Sequence, residues 1–194
     1  MSDKVRVLLI DSNEDFAALF MKMIAPDGRL DYLGHASDRE AGVAASIRLD
    51  PDIVVMDVNL SGGNLDGIEA AKEIRVRTGI KILLLTDCER QDIIVSACKR
   101  TFASGYVLKS QAKTIADIIF DTATSDTPQK ELIKALSLCI LSDAERGVFD
   151  DIVKGAGGES YYPSPSTRAN QKTSIFRKLG LKNTKELLKV FGNW

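Results

Sequence analysis

The sequence predicts a doubly wound α/β domain with a five-stranded parallel sheet, followed by a small all-α domain. Three observations predict it. Short, unbroken apolar runs end one after another in a polar residue. Stretches with helical spacing of apolar side chains fill the intervals between them. Beyond about residue 121 the strand-like runs stop and the charge balance changes sign. Unbroken apolar runs suit strands buried on both faces, as in parallel sheets, and their alternation with helices gives the order of a doubly wound fold.

The first run, residues 4–10, is rich in β-branched side chains and stops at Asp11. Phe16, Leu19, Phe20 and Met23 then recur at helical spacing. Residues 30–34 form a weaker strand. Ala41, Ala44, Ala45 and Ile47 make the next helix, with Asp38 as its N-cap. The run 53–56 stops at Asp57. Ile68, Ala71 and Ile74 follow the Asp66-Gly67 pair. The run 81–85 stops at Thr86, and Ile93, Ile94, Ala97 and Phe102 follow it. Tyr106-Val107-Leu108 stops at Lys109, and Ile115, Ile118 and Ile119 close the series.

The chain then turns polar from Asp121 to Pro128, a linker composition. A helix restarts with Thr127 as N-cap and Pro128 at its first position, and carries Leu132, Ile133, Leu136 and Ile140. Ser142 and Glu145 have capping-box spacing ahead of Val148, Phe149, Ile152 and Val153, and Lys154-Gly155 ends that helix. Ser164-Pro165 opens another, running to Gly180, and the last begins at Thr184. The predicted boundaries are an α/β domain over 1–122, a linker and linker helix over 123–140, and a helical domain over 141–194.

Composition narrows the function classes. With 44% hydrophobic and 27% charged residues among 194, the chain is ordinary for a soluble globular protein. No apolar run approaches the roughly 20 residues a bilayer crossing needs, and Met1-Ser2-Asp3-Lys4 leads straight into a strand with no signal-peptide pattern. The cytoplasm is therefore the expected compartment, with no membrane partner. Cys88, Cys98, Cys139 and the single His35 lack the spacing of a zinc site. The net charge of −1 hides an asymmetry: residues 1–130 hold sixteen basic and twenty acidic side chains, and residues 160–194 hold seven basic and one acidic. An acidic front and a basic tail imply different partners.

In a doubly wound sheet, sites form beyond the carboxyl ends of the strands. Asp11, Asp57, Thr86 and Lys109 therefore converge at one edge. Two carboxylates, a hydroxyl and an ammonium suit a phosphoryl group with a divalent cation: a carboxylate is a nucleophile toward phosphorus, Mg²⁺ takes oxygen ligands, and a lysine neutralises phosphoryl oxygens. Short helices with a basic final pair suggest a helix-turn-helix module at the other end.

These motifs carry a family resemblance. Leu8-Leu9-Ile10-Asp11, Val54-Val55-Met56-Asp57, Leu85-Thr86 and Gly105-Tyr106-Val107-Leu108-Lys109 resemble the receiver domain of bacterial two-component response regulators, a flavodoxin-like fold. The resemblance implies Asp57 as phosphoacceptor, with Asp11 and the Asn59 backbone carbonyl completing an Mg²⁺ pocket. It implies Thr86 and Lys109 on the phosphoryl oxygens and Tyr106 as the rotating aromatic of a switch. Ser12 departs from the pattern, since receivers usually place a second acidic residue there; its hydroxyl is a weaker metal ligand, and Glu14 reads as a capping residue rather than a substitute. The segment 61–67 resembles the loop after the phosphorylated strand.

The tail resembles the LuxR/FixJ-type DNA-binding domain, through Leu141-Ser142-Asp143-Ala144-Glu145-Arg146 and through residues 164–171 and 175–180. The resemblance implies a recognition helix that presents Ala169, Asn170 and Thr173 to the bases or groove. Thr167, Lys172, Arg177 and Lys178 would contact phosphates. Two departures stand out. Residues 156–163, rich in Gly and Pro, replace the usual scaffold helix and are about one turn short. Arg168 occupies a position the family keeps apolar, and a charged side chain is not buried cheaply without a partner.

The sequence thus predicts a phosphorylation-dependent response regulator, not an enzyme, whose partners are a sensor histidine kinase, DNA and a second copy of itself. The alternatives are a phosphorylation-independent regulator, motivated by Ser12, and a protein-interaction module that no longer reads DNA, motivated by the short segment 156–163. An enzyme on a flavodoxin-like sheet ranks last, since no flavin loop or glycine-rich phosphate loop is present.

Overall fold

Strand β3 (Ile53–Asp57) is buried at every position, and β1 (Val5–Ile10) and β4 (Lys81–Thr86) at every position but one. This burial on both faces explains their unbroken apolar sequences. With β2 (Leu30–Ala36) and β5 (Gly105–Leu108) they form one parallel sheet in the order β2-β1-β3-β4-β5. The computed structural model describes residues 4–60, 66–155 and 164–192, with the backbone alone at Ala112 and Lys113.

Helices α1 (Glu14–Ile24), α2 (Arg39–Leu49), α3 (Asp66–Thr78), α4 (Gln91–Thr101) and α5 (Ile115–Thr124) join the strands, and a 3₁₀ segment (Lys109–Thr114) precedes α5. Phe20, Ile24, Ile115 and Ile119 are fully buried in one cluster with Val7, Leu9, Ile53 and Val55. Asp38 caps α2 by accepting the Ala41 N–H. The N-cap of α1 is Asn13, which accepts the Phe16 N–H at 2.9 Å. The Asn13 amide oxygen reaches the third N–H of the helix, while Glu14 lies in the first turn and faces His35 across 3.4 Å.

The polar stretch expected as a linker is shorter than its composition suggests. Helix α5 continues to Thr124 because Thr122 is buried and the Ala123 carbonyl accepts from Lys81 Nζ at 2.5 Å. Only residues 125–127 separate it from α6 (Pro128–Leu138), where Thr127 Oγ1 accepts the Lys130 N–H. The chain divides into two units, Met1–Lys134 and Ala135–Trp194, so α6 begins in the first and ends in the second.

The second unit packs α7 (Asp143–Lys154), α8 (Pro165–Leu179) and α9 (Thr184–Phe191) around Val148, Phe149, Ile175, Leu187, Val190 and Phe191. Phe149 and Phe191 meet edge to face with ring centroids 5.1 Å apart. Ser142 and Glu145 form the capping box that starts α7: Glu145 N–H donates to Ser142 Oγ, and Ser142 N–H donates to Glu145 Oε2. The segment 156–163, including Tyr161 and Tyr162, lies outside the described residues, as does most of the expected loop 61–67.

Candidate phosphoryl-acceptor site

The order β2-β1-β3 reverses at β1, and the crevice at that reversal is where a doubly wound sheet places its ligands. Ile10 pairs with Met56, so Asp11 and Asp57 emerge side by side. Asp57 pairs with Leu85, and Thr86 with Leu108, which brings Thr86 and Lys109 to the same edge. Gly67 lets α3 approach: a Cβ there would run into the Asp57 carbonyl and the Val58 backbone.

Lys109 ties the two carboxylates together. Its ammonium lies 2.8 Å from Asp11 Oδ2 and 2.9 Å from Asp57 Oδ2. Asp11 is fully buried, Asp57 nearly so, and the lysine side chain is 13% exposed. Burial pulls the Lys109 pKa down, but the adjacent Asp11 and Asp57 carboxylates outweigh it and hold the ammonium above its ordinary value. The remaining oxygens are set by the backbone: Asn13 N–H donates to Asp11 Oδ1 at 2.8 Å, and Asn59 N–H donates to Asp57 Oδ1 at 3.0 Å.

The ring of Phe16 lies against the same ammonium, with its centroid 4.7 Å from Nζ. In the sequence, Phe16 reads only as part of the apolar face of α1. Its spacing from Asp11 gave no sign that a helix side chain would close over the lysine, a contact that depends on how α1 docks. Such a cation–π contact is worth roughly 0.5–2 kcal/mol, depending on desolvation.

The oxygens present suit a small divalent cation. Mg²⁺ takes one or two protein carboxylates and completes its shell with water. Asp57 and Asp11 Oδ2, a buried oxygen with no aligned hydrogen bond, are the atoms to offer it. Ser12 is exposed, and no group of three His, Cys, Asp or Glu side chains forms a metal cluster among the described residues.

Beside this centre, Thr86 is buried and its hydroxyl accepts the Cys88 N–H at 3.0 Å. Thr86 and the half-buried Tyr106 line one small pocket whose other walls are Val58, Leu84, Ile93, Ile94 and Ala97. Its lining is apolar apart from the threonine hydroxyl and the tyrosine, and it connects the two residues expected to move together.

In the helical unit, Ala169, Asn170, Thr173 and Arg177 are all exposed. Their spacing of one, three and four residues puts them on one face of α8. Thr167 helps close the start of the helix, its hydroxyl 2.9 Å from Ser164 Oγ. Lys172 lies 5.8 Å from the centre of the Phe176 ring. Lys178, also expected as a phosphate contact, is engaged within its own unit. Its ammonium donates to Glu145 Oε2 at 2.7 Å and to the Ile140 carbonyl at 3.2 Å, because a buried carboxylate needs that charge more than the surface does. Arg168 finds its partner in Asp151 of α7, at 3.6 Å, and stays 43% exposed rather than entering the core.

Residues 7–120 match the response regulator receiver domain family. The chain belongs to that family. Receivers of this family generally bind Mg²⁺ for phosphorylation. The transcriptional regulatory protein LiaR of Bacillus subtilis is 36% identical over 117 residues, which are 59% of this chain and 54% of that protein. The nitrate/nitrite response regulator protein homolog of Haemophilus influenzae is 26% identical over 166 residues, covering 80% of this chain and 78% of that one. Apart from the Haemophilus protein, the chain spans about half the length, or less, of the curated relatives it matches. Among solved structures, the response regulator RcsB of Salmonella typhimurium aligns over 98% of both chains with a TM-score of 0.58 and 22% identity, a likeness of fold. Among the described residues, no helix is long and apolar enough to cross a membrane.

Proposed function

We propose that this receiver accepts a phosphoryl group on Asp57 from a sensor histidine kinase and, so modified, regulates transcription through its helical unit. The observation that carries the reading is the lysine-bridged pair: Asp57 presents Oδ2 at the edge of the sheet, held by Lys109 at 2.9 Å beside buried Asp11. In the transfer, an Asp57 carboxylate oxygen forms a bond to phosphorus as the bond from phosphorus to the donor atom breaks. The donor leaves with that electron pair. Lys109 follows the charge onto the phosphoryl oxygens, and the Thr86 hydroxyl donates to another. A bound Mg²⁺, held by Asp11, Asp57, the Asn59 carbonyl and solvent, with Ser12 a further neutral oxygen, would screen the anionic nucleophile from the anionic donor.

Phosphorylated, Asp57 carries about −1.5 to −2 charges. Thr86 then moves toward it, the apolar pocket it shares with Tyr106 opens, and the tyrosine ring turns inward. This biases two pre-existing arrangements rather than creating a new one. DNA binding as a dimer on paired half-sites fits the exposed face of α8, and a cytoplasmic location fits a kinase partner. Beyond accepting and slowly losing the phosphoryl group, the chain is not proposed to be an enzyme.

The test is a titration of labelled genomic DNA fragments with the full chain, with and without acetyl phosphate and Mg²⁺. Salt-sensitive binding that tightens on phosphorylation is expected. Equal binding in both states supports a second reading, a regulator whose switch is set by sequence; exposed Ser12 in place of a second carboxylate favours it. Absence of binding supports an interaction module instead.

A further inference from the structure

Among the described residues, strand β5 is an open edge of the sheet, and its outward N–H groups have no neighbouring strand to accept them. Two glutamine side chains do so instead. Gln111 Oε1 accepts the Leu108 N–H at 3.4 Å, a long contact, and Gln129 Oε1 accepts the Tyr106 N–H at 2.9 Å. Gln111 belongs to the segment that follows β5, whereas Gln129 lies in the first turn of α6. The amide of the residue expected to switch is thus held by the helix that leads out of the receiver.

The slot for Gln129 is shaped for it. A Cβ on Gly105 would sit 2.7 Å from Gln129 Oε1 and 3.2 Å from Leu83 Cδ1, so a larger residue there would push the amide end of Gln129 aside. The first turn of α6 is anchored on either side of it. Lys130 is 3% exposed and pairs with Asp126 at 2.6 Å, and Lys81 holds the Ala123 carbonyl just upstream. Within this anchorage, Gln129 hydrogen-bonds the backbone of Tyr106.

We infer that Gln129 is a latch that couples the position of Tyr106 to helix α6, engaged when the tyrosine ring is outside its pocket and released when it turns in. The inference rests on the proposed phosphorylation of Asp57. Inward rotation of the ring drags a four-residue edge strand, and a hydrogen bond to its backbone weakens steeply once the N–H swings out of line. Loss of that bond removes one restraint on the start of α6, and the same helix continues past Lys134 into the second unit. The signal then leaves the receiver through a covalently continuous helix.

Amide hydrogen exchange of the full chain reads the latch directly. Gln129→Leu keeps the bulk of the side chain and removes the acceptor; Gly105→Ala displaces the amide. Both are expected to speed exchange at Tyr106 and in the first turn of α6 by roughly three- to tenfold, the loss of one hydrogen bond. Acetyl phosphate with Mg²⁺ is expected to do the same in the wild type and to add nothing in Gln129→Leu. Intact mass is recorded on each sample. Unchanged exchange in wild-type protein whose mass shows the phosphate adduct overturns the latch and leaves the receiver reading standing. Equal exchange in wild type and both variants overturns the latch without reference to phosphate. Absence of any adduct overturns phosphorylation itself, and the coupling with it.

Discussion

The Lys109 ammonium, at the end of β5, reaches past β4 to lie 2.9 Å from Asp57 Oδ2 at the end of β3. That one contact, shared with Asp11, makes the site both a charge balance and a reactive centre. Removing the lysine leaves two nearly buried carboxylates facing each other without compensation. Lys109→Met is expected to destabilise the receiver by about 3 kcal/mol at neutral pH. Urea unfolding should also show that added Mg²⁺ recovers more stability in this variant than in the wild type, because the cation replaces the missing positive charge.

Phe16 also lies against the ammonium. Phe16→Leu keeps apolar bulk and removes the ring, so stability should change by less than about 1.5 kcal/mol. Labelling by acetyl phosphate should slow several-fold as the lysine loses one of its restraints. An unchanged rate would show that the two carboxylates position Lys109 by themselves.

Ser12 follows Asp11 at the end of β1 and offers only a neutral hydroxyl. Ser12→Asp should tighten Mg²⁺ binding about tenfold or more, since a carboxylate is a far better ligand for this cation. Isothermal titration measures it, and equal affinity in both proteins would mean that another oxygen already fills the position.

Glu145 and Lys178 make the helical unit acid-sensitive. The Lys178 ammonium and the Ser142 N–H hold the Glu145 carboxyl at about 2, well below the ordinary carboxylate value of 4.5. A depressed folded-state pKa stabilises above the unfolded value and is lost as pH falls through the folded one. Stability of residues 135–194 should therefore decline from pH about 4.5 toward about 2, and Glu145→Gln should flatten that decline. Lys178→Ala should lower the melting temperature, whereas Arg177→Ala should spare it and weaken DNA binding while reducing its salt dependence.

Much of this was legible in the sequence, for a physical reason. Val54, Val55 and Met56 are buried on both sheet faces, so β3 reads as one apolar run and Asp57 marks its end. The same logic located Asp11, Thr86 and Lys109, because strand ends in a parallel sheet carry position in their sequence order. Side chains whose roles depend on docking were not legible. Phe16 acquires its place from the seating of α1, Gln129 from the seating of α6, and Lys178 from the depth of Glu145 in the helical unit. The helix from Asp121 to Thr124 was hidden because its polar composition reads as linker while Thr122 is in fact buried.

The most direct test is intact-mass measurement after incubation of the full chain with acetyl phosphate and Mg²⁺, for the wild type and Asp57→Asn. One phosphoryl adduct on the wild type, labile to base and absent from Asp57→Asn, is the predicted result. An unlabelled wild type, or an adduct that persists in Asp57→Asn, would contradict the assignment of Asp57 as the acceptor.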